Sequence, residues 1–155
     1  MKIESAQVTK LTLSDLDRLD PISVITEDIA NGRGKIIFEC YGKAWCAYWG
    51  GMGDNTIAEF FCSCDEHYIA KNVSNVDSEV YDIDAIRKAA KAAGVECYRD
   101  DPWNDCEFMI AMYGDDMSGW HYSLPTMANH EYAYLSRVIK AVQAGLTEQA
   151  ACKPV

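Results

Sequence analysis

The residues best suited to bind a metal ion stand together in the segment Cys62-Ser63-Cys64-Asp65-Glu66-His67. Zinc sites use thiolate and imidazole ligands, usually a Cys-x-x-Cys pair with a second pair elsewhere. Here the spacing is Cys-x-Cys, and the sequence has no second pair of that kind. In a helix Cys62 and Cys64 would diverge, whereas Cys64 and His67 would share a face. The sequence therefore predicts core packing for Cys64, exposure for His67 and no metal or cofactor. A metal site of Cys62, Cys64 and His67 is the alternative.

A second group of candidate residues is acidic and lies in residues 96–116, called here the acidic segment. Carboxylates alternate in it with tyrosine and tryptophan, which are favoured anchors of protein interfaces. The residues expected to contact a partner protein are Tyr98, Asp100, Asp101, Trp103, Asp105, Asp115 and Asp116.

Three other interpretations of the acidic segment stay open. It could be a solvated loop, or its carboxylates could hold Ca²⁺ or Mg²⁺, although the D-x-[DN]-x-[DN]-G pattern is absent. It could also imitate DNA, with spaced carboxylates in the place of phosphates, and occupy a basic cleft on another protein.

Sequence patterns typical of catalysis are absent. The chain has no G-x-S-x-G, P-loop, G-x-G-x-x-G or H-E-x-x-H motif, and its three histidines, His67, His121 and His130, stand in no recognised nucleophile context. The sequence thus favours a binding function and leaves enzymatic activity open.

The charge of the chain indicates which partners suit it. Its 155 residues include 24 acidic and 14 basic ones, a net charge of −10, and residues 73–128 alone hold eleven acids and four bases. Nucleic acids bind proteins largely through Lys and Arg, so direct nucleic-acid binding is not expected. A host protein with a basic surface is the favoured partner, because complementary charge speeds association.

Composition and hydropathy predict a soluble, cytoplasmic protein without a membrane partner. About half of the residues are hydrophobic, but no run approaches the roughly 20 needed to span a bilayer, and the first residues lack the apolar stretch of a signal peptide. The seven cysteines are an odd number and are expected to be reduced and mainly buried.

Alternating hydrophobic residues predict a β-meander of about four strands in residues 5–49. A hairpin turning at Gly42-Lys43 would pair Cys40 with Trp45 and place one apolar face in the core. That face consists of Ile36, Phe38, Cys40, Trp45, Ala47 and Trp49.

The remaining chain predicts helices with one or two further strands. A helix capped by Asp54, Asn55 or Thr56 carries an apolar stripe to about Ile69, and another runs from about Asp82 or Asp84 to Ala93. Residues 106–113 are predicted to form a buried strand and residues 120–124 a short return strand. The final helix follows Asn129 and frays near Gly145. Its apolar stripe could mediate self-association, but such a stripe more often packs on its own sheet, and the oligomeric state is left open.

Strands and helices are segregated along the chain, which is typical of an α+β fold. We expect a mostly antiparallel sheet covered by helices, one domain over residues 1–150 and a flexible tail over residues 151–155.

Two segments, residues 41–53 (YGKAWCAYWGGMG) and residues 60–65 (FFCSCD), resemble uncharacterised accessory proteins of temperate phages and prophages in enteric bacteria. The resemblance implies no catalytic residue. It implies a setting in which small acidic phage proteins bind host proteins, including nucleases and defence complexes. The resulting hypothesis is an acidic accessory protein that binds, and could inhibit, such a host protein.

Overall fold

A four-stranded antiparallel sheet forms the first third of the chain in the computed structural model, which describes residues 1–152. The strands pair in chain order, as the predicted meander requires. They are β1 (Thr9–Leu13), β2 (Ile22–Ala30), β3 (Arg33–Cys40) and β4 (Lys43–Trp49).

The hairpin between β3 and β4 has the predicted core face but a different turn. Cys40 pairs with Lys43 and Phe38 with Trp45, so the two turn residues are Tyr41 and Gly42. Both residues have a positive φ, 52° and 76°, as a tight two-residue hairpin turn requires. A turn at Gly42-Lys43, as predicted, would have required a positive φ at Lys43. The pairing differs from the predicted one by two residues, and an even shift leaves every side chain on its predicted face.

Two short helices, α1 (Ile57–Ser63) and α2 (Glu66–Val73), replace the single helix expected after the sheet. Cys64 and Asp65 between them are extended, with ψ of 148° and 155°. The Asp65 carboxylate accepts a hydrogen bond from the Tyr68 amide at 2.9 Å and so caps a new helix. Thr56, one of the three predicted caps, forms a capping box with Glu59.

The last helix, α6 (His130–Ala151), packs against the same core as the sheet and the first two helices. The side chain of Gln143 donates to the main-chain oxygens of Phe61 at 3.0 Å and Cys64 at 2.8 Å, which satisfies carbonyls at the end of α1. The helix continues through Gly145, where fraying was predicted. The predicted apolar stripe is buried in this core: Leu135, Val138, Ile139, Val142 and Leu146.

Residues 77–129 form a second compact unit, inserted between the two segments that make the first, residues 1–76 and the segment from residue 130. We call it the inserted unit. Its ends are joined by a two-stranded antiparallel ladder of β5 (Glu79–Tyr81) and β6 (Thr126–Ala128). Its helices are α3 (Ile83–Ala93), α4 (Cys106–Tyr113) and α5 (Trp120–Ser123), with 3₁₀ turns at Pro102–Asn104 and Met117–Gly119.

The inserted unit has its own hydrophobic core. Asp82 caps α3 through the Ala85 amide at 2.9 Å, and Gly94 ends the helix with a φ of 72°, close to the predicted bounds. The buried core residues are Ile86, Ala90, Phe108, Met109, Trp120 and Leu124.

The two strands predicted at residues 106–113 and 120–124 are wrong, since α4 and α5 occupy these positions. In α4 the adjacent residues Phe108 and Met109 are both buried, whereas Ile110 is 40% exposed, and this is not the alternation of a strand. The Asp105 side chain accepts from the Phe108 amide at 3.1 Å and starts the helix.

The α+β class is confirmed, whereas the prediction of one domain over residues 1–150 stays a prediction. Of the predicted tail, Ala151 ends α6 and residues 153–155 lie outside the described residues.

Cys40 is buried, but Cys46, Cys106 and Cys152 are exposed, so burial was wrongly predicted for these three. None of the helices within residues 1–152 combines the length and the hydrophobicity that a membrane-spanning segment requires.

Candidate interaction surface

The negative charge of the chain is concentrated in the inserted unit. Residues 77–129 carry eleven carboxylates and four basic side chains, a surplus of seven negative charges out of the ten of the whole chain. All seven residues predicted to contact a partner belong to this unit. Its surface is therefore the most acidic part of the protein.

Asp100 and Asp101 form ion pairs with arginines of the same unit. Asp100 accepts from Arg87 at 2.6 Å, and the Asp101 carboxylate accepts from Nε of Arg99 at 3.0 Å and from the side-chain Nδ2 of Asn104 at 3.2 Å. The hydrogen bonds from Arg99 and Asn104 hold the pKa of the Asp101 carboxyl below its usual range. The Asp100 side chain is nonetheless 98% exposed, so this carboxylate can still meet a partner.

Asp105 and Asp116 instead stabilise the local backbone. Asp105 caps α4, as described, and Asp116 accepts from the Ser118 hydroxyl at 2.6 Å and the Ser118 amide at 3.1 Å. These hydrogen bonds lower the pKa of the Asp116 carboxyl. Both residues were predicted to contact a partner, and in the structure each carboxylate also accepts hydrogen bonds that hold its own segment of backbone.

The remaining predicted residues are exposed to different degrees. Asp115 is exposed, and Tyr98 is 82% exposed with its hydroxyl hydrogen-bonded to Glu96. Trp103, by contrast, is half-buried against the core of the inserted unit. Tyr98 is thus the exposed aromatic residue of the predicted set.

Trp103 lines a groove of about 390 Å³ that sequence reasoning missed. We call it the stem groove, because residues of the β5–β6 ladder form its wall. Its six lining residues are Asp77, Glu79, Val80, Tyr81, Trp103 and Thr126. Glu79 and Tyr81 stand two residues apart in β5, a spacing that places both side chains on one side of a strand, although Val80 between them also lines the groove.

A second groove of the inserted unit, about 450 Å³, has mixed charge. Its lining includes Arg87, Lys91 and Glu96 beside Tyr98. The two grooves therefore differ in the charge of their lining. Arg87 and Lys91 line the second groove, whereas none of the six residues that line the stem groove is basic.

The Cys62–His67 segment does not converge on a metal ion. The Cys62 thiol lies 3.5 Å from the Gln143 carbonyl oxygen, and Nδ1 of His67 lies 2.6 Å from the Tyr132 hydroxyl. Burial raises the pKa of the Cys64 thiol. No group of three or more His, Cys, Asp or Glu residues in the described part of the chain could hold a metal.

Comparison with known proteins identifies a family for this chain. No curated protein and no solved structure matches the chain. A family model described as a phage family matches residues 1–148, a range that includes both compact units. The resemblance to phage proteins is confirmed at this level. The chain therefore belongs to a family of phage proteins.

Proposed function

We propose that the protein is an accessory protein of a temperate phage or prophage of enteric bacteria that binds a basic surface of a host protein or complex in the cytoplasm. The observation that carries the proposal is the segregation of charge. One inserted unit of 53 residues holds a surplus of seven negative charges and presents an exposed tyrosine beside exposed carboxylates. Membership of a phage family supports the setting.

Charge and aromatic contacts would contribute differently to this binding. Exposed carboxylates such as Asp100 and Asp115 steer a basic partner and raise the association rate, and this effect weakens with salt. Tyr98 would supply contact area at the centre of the interface, since tyrosine is enriched among residues that dominate binding energy. The partner class that fits best is a host nuclease or defence complex, because a cleft that binds phosphates is basic.

The proposal is tested by capture from a host lysate at moderate salt. The wild-type protein is compared with a triple variant, Tyr98→Ala, Asp100→Asn and Asp115→Asn, chosen because none of the three residues caps a helix. We expect the variant to lose about tenfold in captured partner. Capture of the wild-type protein should weaken steadily as salt rises.

A matched control carries the same chemical changes in the first compact unit. Tyr48→Ala, Asp17→Asn and Glu148→Gln remove one exposed tyrosine and two exposed carboxylates there. This control should retain the partner. Failure to recover any partner, or equal loss in both triple variants, would contradict the proposal.

A further inference from the structure

The stem groove combines two chemical features that together suit a cation with a flat surface. Asp77 and Glu79 contribute carboxylates, and Tyr81 and Trp103 contribute aromatic rings. Carboxylates attract and hydrogen-bond a cation, and aromatic faces attract it through the ring quadrupole. Within the described residues the carboxylates of Asp77 and Glu79 form no ion pair with a lysine or an arginine, and the groove lies wholly inside the inserted unit.

The two aromatic rings contact each other and are held in place by their neighbours. Their centroids are 4.8 Å apart with an angle of 46° between the planes. The Tyr81 hydroxyl lies 3.0 Å from Nδ1 of His121, and its ring also stacks on the histidine ring at 6.4 Å. Both Tyr81 and Trp103 pack against the core of the inserted unit, so each ring is backed by protein. Little conformational freedom remains to be lost when a ligand stacks on them.

The two carboxylates are held by the ladder but are not neutralised by it. One oxygen of Glu79 accepts from the Thr126 hydroxyl at 2.8 Å, across the β5–β6 pair. The main-chain oxygen of Asp77 accepts a hydrogen bond from the Asn129 side chain at 2.9 Å, which holds the backbone at this residue. The Asp77 carboxylate is exposed and forms no hydrogen bond or ion pair with the described residues. Each acid therefore keeps acceptor capacity for a ligand.

We propose that the stem groove receives an arginine side chain of the partner protein. A guanidinium group is planar, stacks on aromatic rings and donates several hydrogen bonds to carboxylates, whereas the lysine ammonium is a compact, strongly hydrated point charge. A volume of about 390 Å³ has room for one such side chain. This inference rests on the proposed function for the identity of the partner, but the chemistry of the groove can be tested alone.

The test uses a blocked tripeptide, acetyl-Gly-Arg-Gly-amide, titrated into the isotopically labelled full-length protein. The indole N–H signal of Trp103, identified as the one missing in Trp103→Phe, reports binding by nuclear magnetic resonance. We expect this signal to shift with half-saturation in the millimolar range, as for one exposed cation–π contact with ion pairing. The citrulline tripeptide, which has nearly the same shape but no charge, should shift it at least fivefold less.

The double variant Asp77→Asn, Glu79→Gln should weaken the arginine titration at least fivefold, while the Asp17→Asn, Glu148→Gln control should leave it unchanged. An unchanged indole spectrum at Trp45 and Trp49 shows that a variant remains folded. Equal shifts with arginine and citrulline peptides, or no shift at Trp103, would overturn the inference.

Lysate capture separates this inference from the proposed function. If the arginine peptide binds the groove but no partner is captured, the groove assignment stands and the proposed function fails. If a partner is captured equally by the wild type and the Asp77/Glu79 double variant, and the peptide gives no shift, the groove assignment fails and the proposed function stands.

Discussion

The hydroxyl of Tyr134 donates a hydrogen bond to the sulfur of Cys40 across 3.2 Å, linking α6 to the last residue of β3. The Cys40 thiol in turn donates to the main-chain oxygen of Asp20 at 3.4 Å. The hydrogen bond to Cys40, together with partial burial, raises the pKa of Tyr134 from 10.0 to about 12. The neutral phenol is therefore the form that the folded protein stabilises.

This pKa predicts a loss of stability in strong alkali. Between pH 10 and 12 the unfolded chain releases the Tyr134 proton and the folded chain retains it, so the free energy of unfolding should fall as pH rises through that window. Urea denaturation at several pH values measures the fall. Tyr134→Phe should flatten it, whereas Tyr41→Phe, at an 83% exposed residue, should not. Equal slopes in wild type and Tyr134→Phe would contradict this assignment.

A close approach of two loops makes Gly32 irreplaceable. A Cβ atom at Gly32 would lie 2.2 Å from the main-chain oxygen of Gly53, and the φ of +65° is already unfavourable for other residues. We expect Gly32→Ala to lower the free energy of unfolding by about 2–4 kcal/mol. Gly51→Ala is the matched control, because its Cβ would meet no atom within 4 Å, and it should change stability by less than about 0.5 kcal/mol. Similar denaturation midpoints for both variants would refute the steric argument.

The core face of the sheet could be predicted from the sequence because side-chain alternation does not depend on the exact turn. Moving the hairpin turn from Gly42-Lys43 to Tyr41-Gly42 shifts the pairing by two residues and keeps Phe38 and Trp45 on one face. The α+β class followed from the same local periodicity. Such features depend on neighbours in the chain, so they can be recognised without a structure.

Helix α4 was missed because its residues fit two periods. Phe108, Ile110 and Met112 alternate as in a strand, but the Asp105 cap and the burial of both Phe108 and Met109 favour a helix. A capping residue was present in the sequence, yet the apolar run of six residues at 108–113 does not distinguish a buried strand from a buried helix. Packing in the core of the inserted unit, where Phe108 and Met109 are both buried, determines that these residues form a helix.

The stem groove could not be predicted because it depends on pairing between distant residues. Glu79 meets Thr126 across 47 positions of sequence, and Tyr81 meets Trp103 across a helix and a loop. The sequence predicts Trp103 as a contact of the partner protein but does not indicate its neighbours in the groove. Its actual neighbours become apparent only when β5 and β6 bring the ends of the inserted unit together.

Zinc content provides a direct test of the Cys62–His67 segment. We expect well below one equivalent of zinc per chain in protein purified without a histidine tag, because the Cys62 thiol and the His67 ring contact α6 instead of each other. Elemental analysis measures this. One equivalent of zinc that disappears in Cys62→Ser/Cys64→Ser but persists in Cys46→Ser/Cys106→Ser would contradict the expectation.

Two substitutions of Asp105 distinguish the contribution of its helix-capping hydrogen bond from the contribution of its charge. Asp105→Ala removes both the cap of α4 and the charge, whereas Asp105→Asn removes the charge but keeps an oxygen that can accept from the Phe108 amide. We expect Asp105→Ala to destabilise α4 by about 1 kcal/mol and Asp105→Asn by only a few tenths. Hydrogen exchange of the α4 amides measures this local stability. If both variants exchange equally fast, the charge of Asp105 near the helix N-terminus stabilises α4, and the cap contributes nothing.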